Sequence, residues 1–498
     1  MNKKTKVVVE EVVIQSWLRP ALTPVGANKD YEQFRDQIDT VDTLLGQSHL
    51  EAMALDFAVV GFEGADARQL ASRKRFALKA LRLEALRMLL GNPPFREFSR
   101  LIASCDFLAD FCGARQIDGI KGVSKSVLDR ASKFFSPEQV RWMHQVVLEM
   151  CGDSDRAGEV GLGAPIQTEV CLVDATCLEA NIHFPTDWVL LRDVSQTLLK
   201  AVKLIRAAGL RCRMPCEPAG LGRQMNRLCI RMSNAPRRRD TCRKERKKIL
   251  RTMKRLLGTV AGHARRHRDR LAAEYSRTKY SQAQAALIVE RIDTKLGQLP
   301  QVVEQACERI IGERQVQDAK KLLSVHEPQV HVLVRNKAGR KAQFGNTLLL
   351  AESEQGVILD WQLYRERAPS ETQQLQESIA RQKHFDLPEA LAAACTDRGF
   401  NSREGSRQLR QAGIYDATCP RDPAELKKRL EEPVFARLQK RRSGTEARIA
   451  ILNQRRGGVL RARGFEHRSL AMAWGVLGHN LWMVARMLAA ERKLEEAA

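Results

Sequence analysis

The chain has 498 residues, long enough for two or three domains with substantial cores. Its 83 Lys and Arg outweigh 59 Asp and Glu, giving a formal charge of +24 and a sequence pI near 9.8, so the expected partner is a polyanion. Secretion is disfavoured because acids interrupt the apolar run after Met1. A disulfide or zinc framework is disfavoured because none of the 12 cysteines forms a CxxC pair, and Cys212, Cys216, Cys229 and Cys242 are only loosely spaced. Reduced thiols in the cytoplasm are the simpler expectation.

Residues 1–60 offer only a strand-like run at Val7–Ile14 and an amphipathic stretch near Tyr31–Leu45. From Ala65 to Leu90, leucines recur at helical spacing until Asn92-Pro93-Pro94 stops them. Short helical runs follow at Phe95–Ile102, Cys105–Cys112 and from Val123, separated by Gly-containing turns. This section reads equally as a helix-turn-helix or as plain capped helices.

Val170-Cys171-Leu172-Val173 is a buried-strand run that ends in Asp174. Leu190–Leu323 then reads as helical and strongly basic: Lys200–Tyr280 holds 25 Lys and Arg against five acids. Arg237, Arg238, Arg239, Lys247 and Lys248 are its candidate phosphate contacts. His263 and His267, one helical turn apart among arginines, are expected to extend the basic face instead of binding a metal. Strand character returns at Val330–Val334, Thr347–Ala351 and Val357–Leu363, with turn signals at Lys337-Ala338-Gly339 and Gln355-Gly356. A helix over Glu371–Gln382 precedes a second strand tip, Ala392–Asp397, whose Gly399 suits a sharp turn. A short strand is expected at Ile414–Cys419. Glu446 lies in a helical run, Gly444–Leu452. Ser469–Leu488 is the most membrane-like segment, but His479, Asn480 and Arg486 mark it as a core helix instead of a span.

Two strand-end aspartates and a helical glutamate are hard oxygen donors of the kind that hold Mg²⁺ or Mn²⁺ for in-line attack on a phosphodiester. The runs Val173–Thr176, Glu179–Asp187, Thr396–Gly399 and Gly444–Ile449 resemble, in the same order, bacterial insertion-sequence transposases of the DDE class. The resemblance spans most of residues 90–490. It implies an α/β fold: a ribonuclease-H-like mixed sheet with flanking helices over 166–190 and 326–490, a basic helical insertion at 191–325, and a helical end-binding region at 1–165.

It also implies that Asp174, Asp397 and Glu446 are the catalytic, Mg²⁺-binding triad of an enzyme that cleaves and joins double-stranded DNA at its element's ends. Such an enzyme is expected as a homodimer on DNA, associated with the bacterial nucleoid and not with a membrane. Asp360 competes for the second position and Glu431 or Glu432 for the third, while Glu179 and Asp187 are expected to support the site. Many such transposases carry Tyr, Arg and Lys around the glutamate, where this chain has Gln439, Arg442 and Asn453. Arg442 matches as a phosphate contact, and Arg455 and Arg456 stand in for the lysine. The alternatives are a structure-specific nuclease on the same core and a DNA-binding protein without catalysis.

Overall fold

The computed structural model describes residues 29–62, 66–116, 119–235, 240–337, 340–384, 391–445, 447–449, 452 and 462–497. The Val7–Ile14 run lies outside them. The protein is a mixed α/β chain in two compact units. The first takes the described residues up to Thr176, Thr347–Tyr364, and those from Ala368 onward; the second takes Cys177–Asn346 with Arg365–Arg367.

The first unit begins with α1 (Lys29–Gln47), α2 (Leu50–Val59), α3 (Ala67–Leu89), α4 (Phe95–Ser104) and α5 (Asp106–Phe111). A small hairpin, β1 (Arg115–Gln116) with β2 (Gly119–Ile120), interrupts the helical expectation before α6 (Lys125–Ala131) and α7 (Pro137–Gly152). Ser136 shows why α7 starts where it does: it forms a capping box with Gln139, and Pro137 occupies the first turn. Arg82 of α3 is buried, yet its guanidinium lies 2.5 Å from Asp42 of α1 and 2.6 Å from Glu51 of α2. That pairing makes a buried cation tolerable and ties three helices together.

The main sheet comprises β3 (Val170–Glu179), β4 (His331–Lys337), β5 (Arg340–Glu352), β6 (Ile358–Leu363), β7 (Ala393–Thr396) and β8 (Tyr415–Asp416). Its order is β4-β5-β3-β7-β8, with β6 also paired to β5. β3 with β7 and β7 with β8 are parallel, whereas β5 is antiparallel to both β4 and β6. Parallel neighbours need a crossover, and α13 (Arg403–Gln411) supplies the one from β7 to β8. β8 is shorter than expected because the Asp416 side chain takes the Thr418 N–H; even so, Ala417 and Cys419 still donate to Ala394 and Thr396.

After the second unit, the helices in chain order are α12 (Glu371–His384), α13, α14 (Pro423–Arg429), α15 (Pro433–Arg442) and α16 (Phe465–Ala497). α16 packs on α1, α3, α7 and β6, burying Trp474, Leu477, Leu481 and Val484. Its buried His479 and Asn480 face the sheet. Asn480 accepts the Ile358 N–H at 2.9 Å and donates to the Ile358 carbonyl at 2.8 Å, as a neighbouring strand would. No helix among the described residues is long and apolar enough to cross a membrane.

The second unit is a bundle of α8 (Asp187–Ala207), α9 (Pro218–Asn234), α10 (Asp240–Glu274) and α11 (Gln282–Ile310) around Leu191, Leu198, Met225, Met253, Leu257 and Ile292. Asp187 is buried here, accepting from Gln305 at 2.8 Å and Arg309 at 3.1 Å, so it clamps α8 to α11. Glu179 accepts from Gln343 at 2.9 Å. The expectation for the histidines is corrected: His263 and His267 are buried in the bundle and do not extend a basic face. His267 Nδ1 donates to the His263 carbonyl at 2.7 Å, and its Nε2 accepts from the Cys212 N–H at 3.3 Å. Burial, with nearby arginines adding to it, holds both imidazoles below the usual histidine range.

His144 of α7 is buried with Nε2 2.9 Å from the Ile358 carbonyl, and burial pushes its pKa down to about 4. An unfolded histidine binds its proton near 6.5, so between these values the unfolded chain holds more protons and stability falls as pH drops from about 6.5 to about 4. The loss should be on the order of 3 kcal/mol. His144→Gln, which does not titrate, should flatten that part of the curve, as read from urea midpoints at pH 7 and pH 5.

Candidate functional site

β3 and β7 run side by side in parallel, with Val170 opposite Ala393 and Val173 opposite Thr396. The next residue of β3 is Asp174, and the first residue after β7 is Asp397, so the two follow the last paired residues of strands about 4.8 Å apart. The residues below them are buried and, apart from Thr396, apolar, whereas both aspartates are half-buried. Cys171 and Cys395 lie within the same strands, and burial pushes both thiols up to about 12. They stay protonated at neutral pH, so the pair presents hard oxygen donors without thiolate competition.

Each carboxylate is oriented by backbone. Asp174 Oδ1 accepts the Ala175 N–H at 2.8 Å, and Asp397 Oδ1 accepts the Gly399 N–H at 2.9 Å, closing the turn out of β7. Gly399 lies close to two acids: a Cβ there would displace the carboxylate of Glu371, at the start of α12, and crowd Asp397. Glu371 is thus a further acid beside Asp397. The sequence signals it only as an acidic residue in a helix's first turn.

α15 packs on β7 through Phe435 and Leu438. Gln439 of α15 donates to the Ala417 carbonyl at 2.6 Å and to the Thr396 carbonyl at 3.2 Å, directly beneath Asp397. Arg442 bonds to the Gln439 side chain at 3.2 Å and partly offsets the rise in the Cys395 pKa, which places its positive charge near β7. Glu446 lies outside the described residues. Its described neighbours Thr445 and Arg448 both bond to buried Glu352 at the end of β5, at 2.8 and 2.9 Å. Among the described residues, no three His, Cys, Asp or Glu side chains converge as a metal cage.

Compared with protein families, curated proteins and solved structures, the chain matches none.

The competing acids are engaged elsewhere. Asp360 is buried in β6, bonded to Ser378 at 2.6 Å and paired with Arg381 at 2.7 Å, with Arg141 at 3.8 Å. Glu432 accepts from Tyr415 at 2.7 Å, and Glu431 is exposed. Of the candidate phosphate contacts, Arg237, Arg238, Arg239, Arg455 and Arg456 lie outside the described residues, as does Asn453. Lys247 is paired with Glu313 at 2.7 Å, and Lys248 is exposed on α10.

Gln439→Leu keeps the side-chain volume but leaves the Ala417 carbonyl without its side-chain donor. Stability should fall by about 1–2 kcal/mol, read as a shift in urea midpoint at constant slope.

Proposed function

We propose that the protein is a DDE transposase with a ribonuclease-H-like core, and that it cleaves at the ends of its element and joins them to target double-stranded DNA. The observation that carries this reading is that Asp174 and Asp397 each directly follow the last paired residues, Val173 and Thr396, of two adjacent parallel strands. Two carboxylates about a strand spacing apart, half-exposed above buried strands, are hard oxygen donors of the kind that hold divalent cations. The strand order adds support. The Asp174 strand is central, the Asp397 strand is its parallel neighbour, and the basic helical bundle falls between β3 and β4.

Asp174 and Asp397 would hold Mg²⁺ or Mn²⁺ with Glu446. When bound, such ions activate an attacking hydroxyl and stabilise the leaving oxygen. The chain's part is to orient the carboxylates through the Ala175 and Gly399 N–H groups. It also keeps nearby thiols protonated and brings the Arg442 cation to the DNA backbone. A homodimer on DNA, each protomer engaging one end, completes the proposal.

Asp174→Asn, Asp397→Asn and Glu446→Gln should each reduce Mg²⁺-dependent cleavage and strand transfer to background while leaving binding to the element's ends largely intact. The amide keeps the shape but removes the charge that holds the cations. Asp360→Asn should fold less stably and still cleave. Cleavage by all three triad variants at the parent's rate would sink the reading. End binding with no cleavage by the parent would leave a DNA-binding protein.

A further inference from the structure

α10 is 35 residues long, and two groups among its cations contrast. One set is neutralised: Arg243 and Lys247 lie 3.8 and 2.7 Å from Glu313, Arg268 is 2.9 Å from Asp293, and Arg270 is 3.3 Å from Glu274. The other set is Lys244, Lys248, Arg251 and Arg255. All four are exposed, and none makes an ion pair among the described residues. Their spacing of four, three and four puts them in one line along the helix, opposite buried Leu250, Met253, Leu257 and Val260. From Lys244 to Arg266 that line carries no acid.

Gly258 and Gly262 continue the same line. A Cβ added at either would meet nothing within 4 Å, so no packing inside the protein requires a glycine. A glycine in a helix interior is nonetheless unfavourable relative to alanine. The outward face is therefore a row of unneutralised cations about 16 Å long followed by bare backbone, reaching about 27 Å in all.

We propose that this face of α10 is a docking surface for the sugar-phosphate backbone of duplex DNA, a step that rests on DNA being the substrate as argued above. A straight row with cations every helical turn matches a stiff polyanion whose phosphates advance about 3.4 Å per strand step. Exposed large apolar side chains, which an anionic lipid surface would take up, are absent from α10 among the described residues. Contacts to the sugar-phosphate backbone carry no sequence information, so the docking is independent of sequence. It moves the expected contacts from Lys247, whose charge is already matched, to Lys244, Arg251 and Arg255 beside Lys248.

The test uses the full-length protein and an arbitrary duplex of about one to three helical turns, with affinity followed by fluorescence anisotropy against salt. Replacing Lys244, Lys248, Arg251 and Arg255 together by Ala should lower the slope of log affinity against log salt by about 0.9 per lost contact, roughly 3 to 4 in all. Replacing the neutralised Lys247, Arg268 and Arg270 should lower it by less than about 1. Gly258→Gln with Gly262→Gln should raise the thermal midpoint yet weaken duplex binding several-fold. An unchanged slope in the folded fourfold variant overturns the proposal. So does stronger retention on anionic phospholipid vesicles than on duplex, lost in the same variant. Cleavage by the parent is scored separately: its absence counts against the catalytic reading, while the salt slope and the vesicle comparison decide the surface.

Discussion

The parallel pairing of β3 with β7 is the constraint on which the first unit depends. A parallel pair cannot be closed by a tight turn, so the chain must leave the end of β3 and return far along the sequence to start β7 at the other end. Everything between them is hung on that detour: the helical bundle, the β4 to β6 strands and α12. The pairing also fixes register. Because side chains alternate along a strand, a slip of one residue would turn Asp397 away from Asp174 and bury a carboxylate in the apolar layer. The alternation of buried and half-exposed residues from Val173 to Thr176 makes that slip costly.

The opposite edge region is held by buried polar groups instead of by apolar contact alone. Asn480 reads both backbone groups of Ile358, and His479 Nε2 lies 3.0 Å from the Gly356 carbonyl. Such groups are costly to bury without partners and specific when satisfied. They fix α16 in one rotation and one axial position against β6. Arg141, stacked 4.1 Å over the Trp361 ring and close to Asp360, does the same for α7. Strand and helix are thereby locked without lengthening the sheet.

The strand tips were legible because a short apolar run ending in a carboxylate looks the same whatever lies beside it. α3, α4 and α16 were legible by periodicity and by the Asn92-Pro93-Pro94 stop. What lay beyond the sequence was pairing. Nothing local tells Lys247 from Lys248, yet one meets Glu313 from beyond α11 and the other meets solvent. His263 and His267 sit among arginines in the sequence, but their own period places them on the inward face. Asp187 looked like a neighbour of the Asp174 strand and is instead a clamp on Arg309, more than a hundred residues away. The Gln439 bonds to two strand-end carbonyls were equally invisible, although the substitution of Gln for the Tyr of the resembled family marked the position.

An uneven division of charge follows. The carboxylate pair lies on a sheet whose nearby thiols are kept neutral, so local negative charge is concentrated where cations would be drawn. α10 instead places like charges one turn apart on a single face, an arrangement that costs the isolated helix a few tenths of a kcal/mol per pair. That repulsion persists in the folded bundle because no acid from α8, α9 or α11 reaches the row among the described residues. The same bundle does supply acids to Lys247 and Arg268, so the fold is able to neutralise α10 and does so only on its flanks. Repulsion left standing along that row is relieved by a polyanion laid along it, and counterion release makes that relief steepest at low salt.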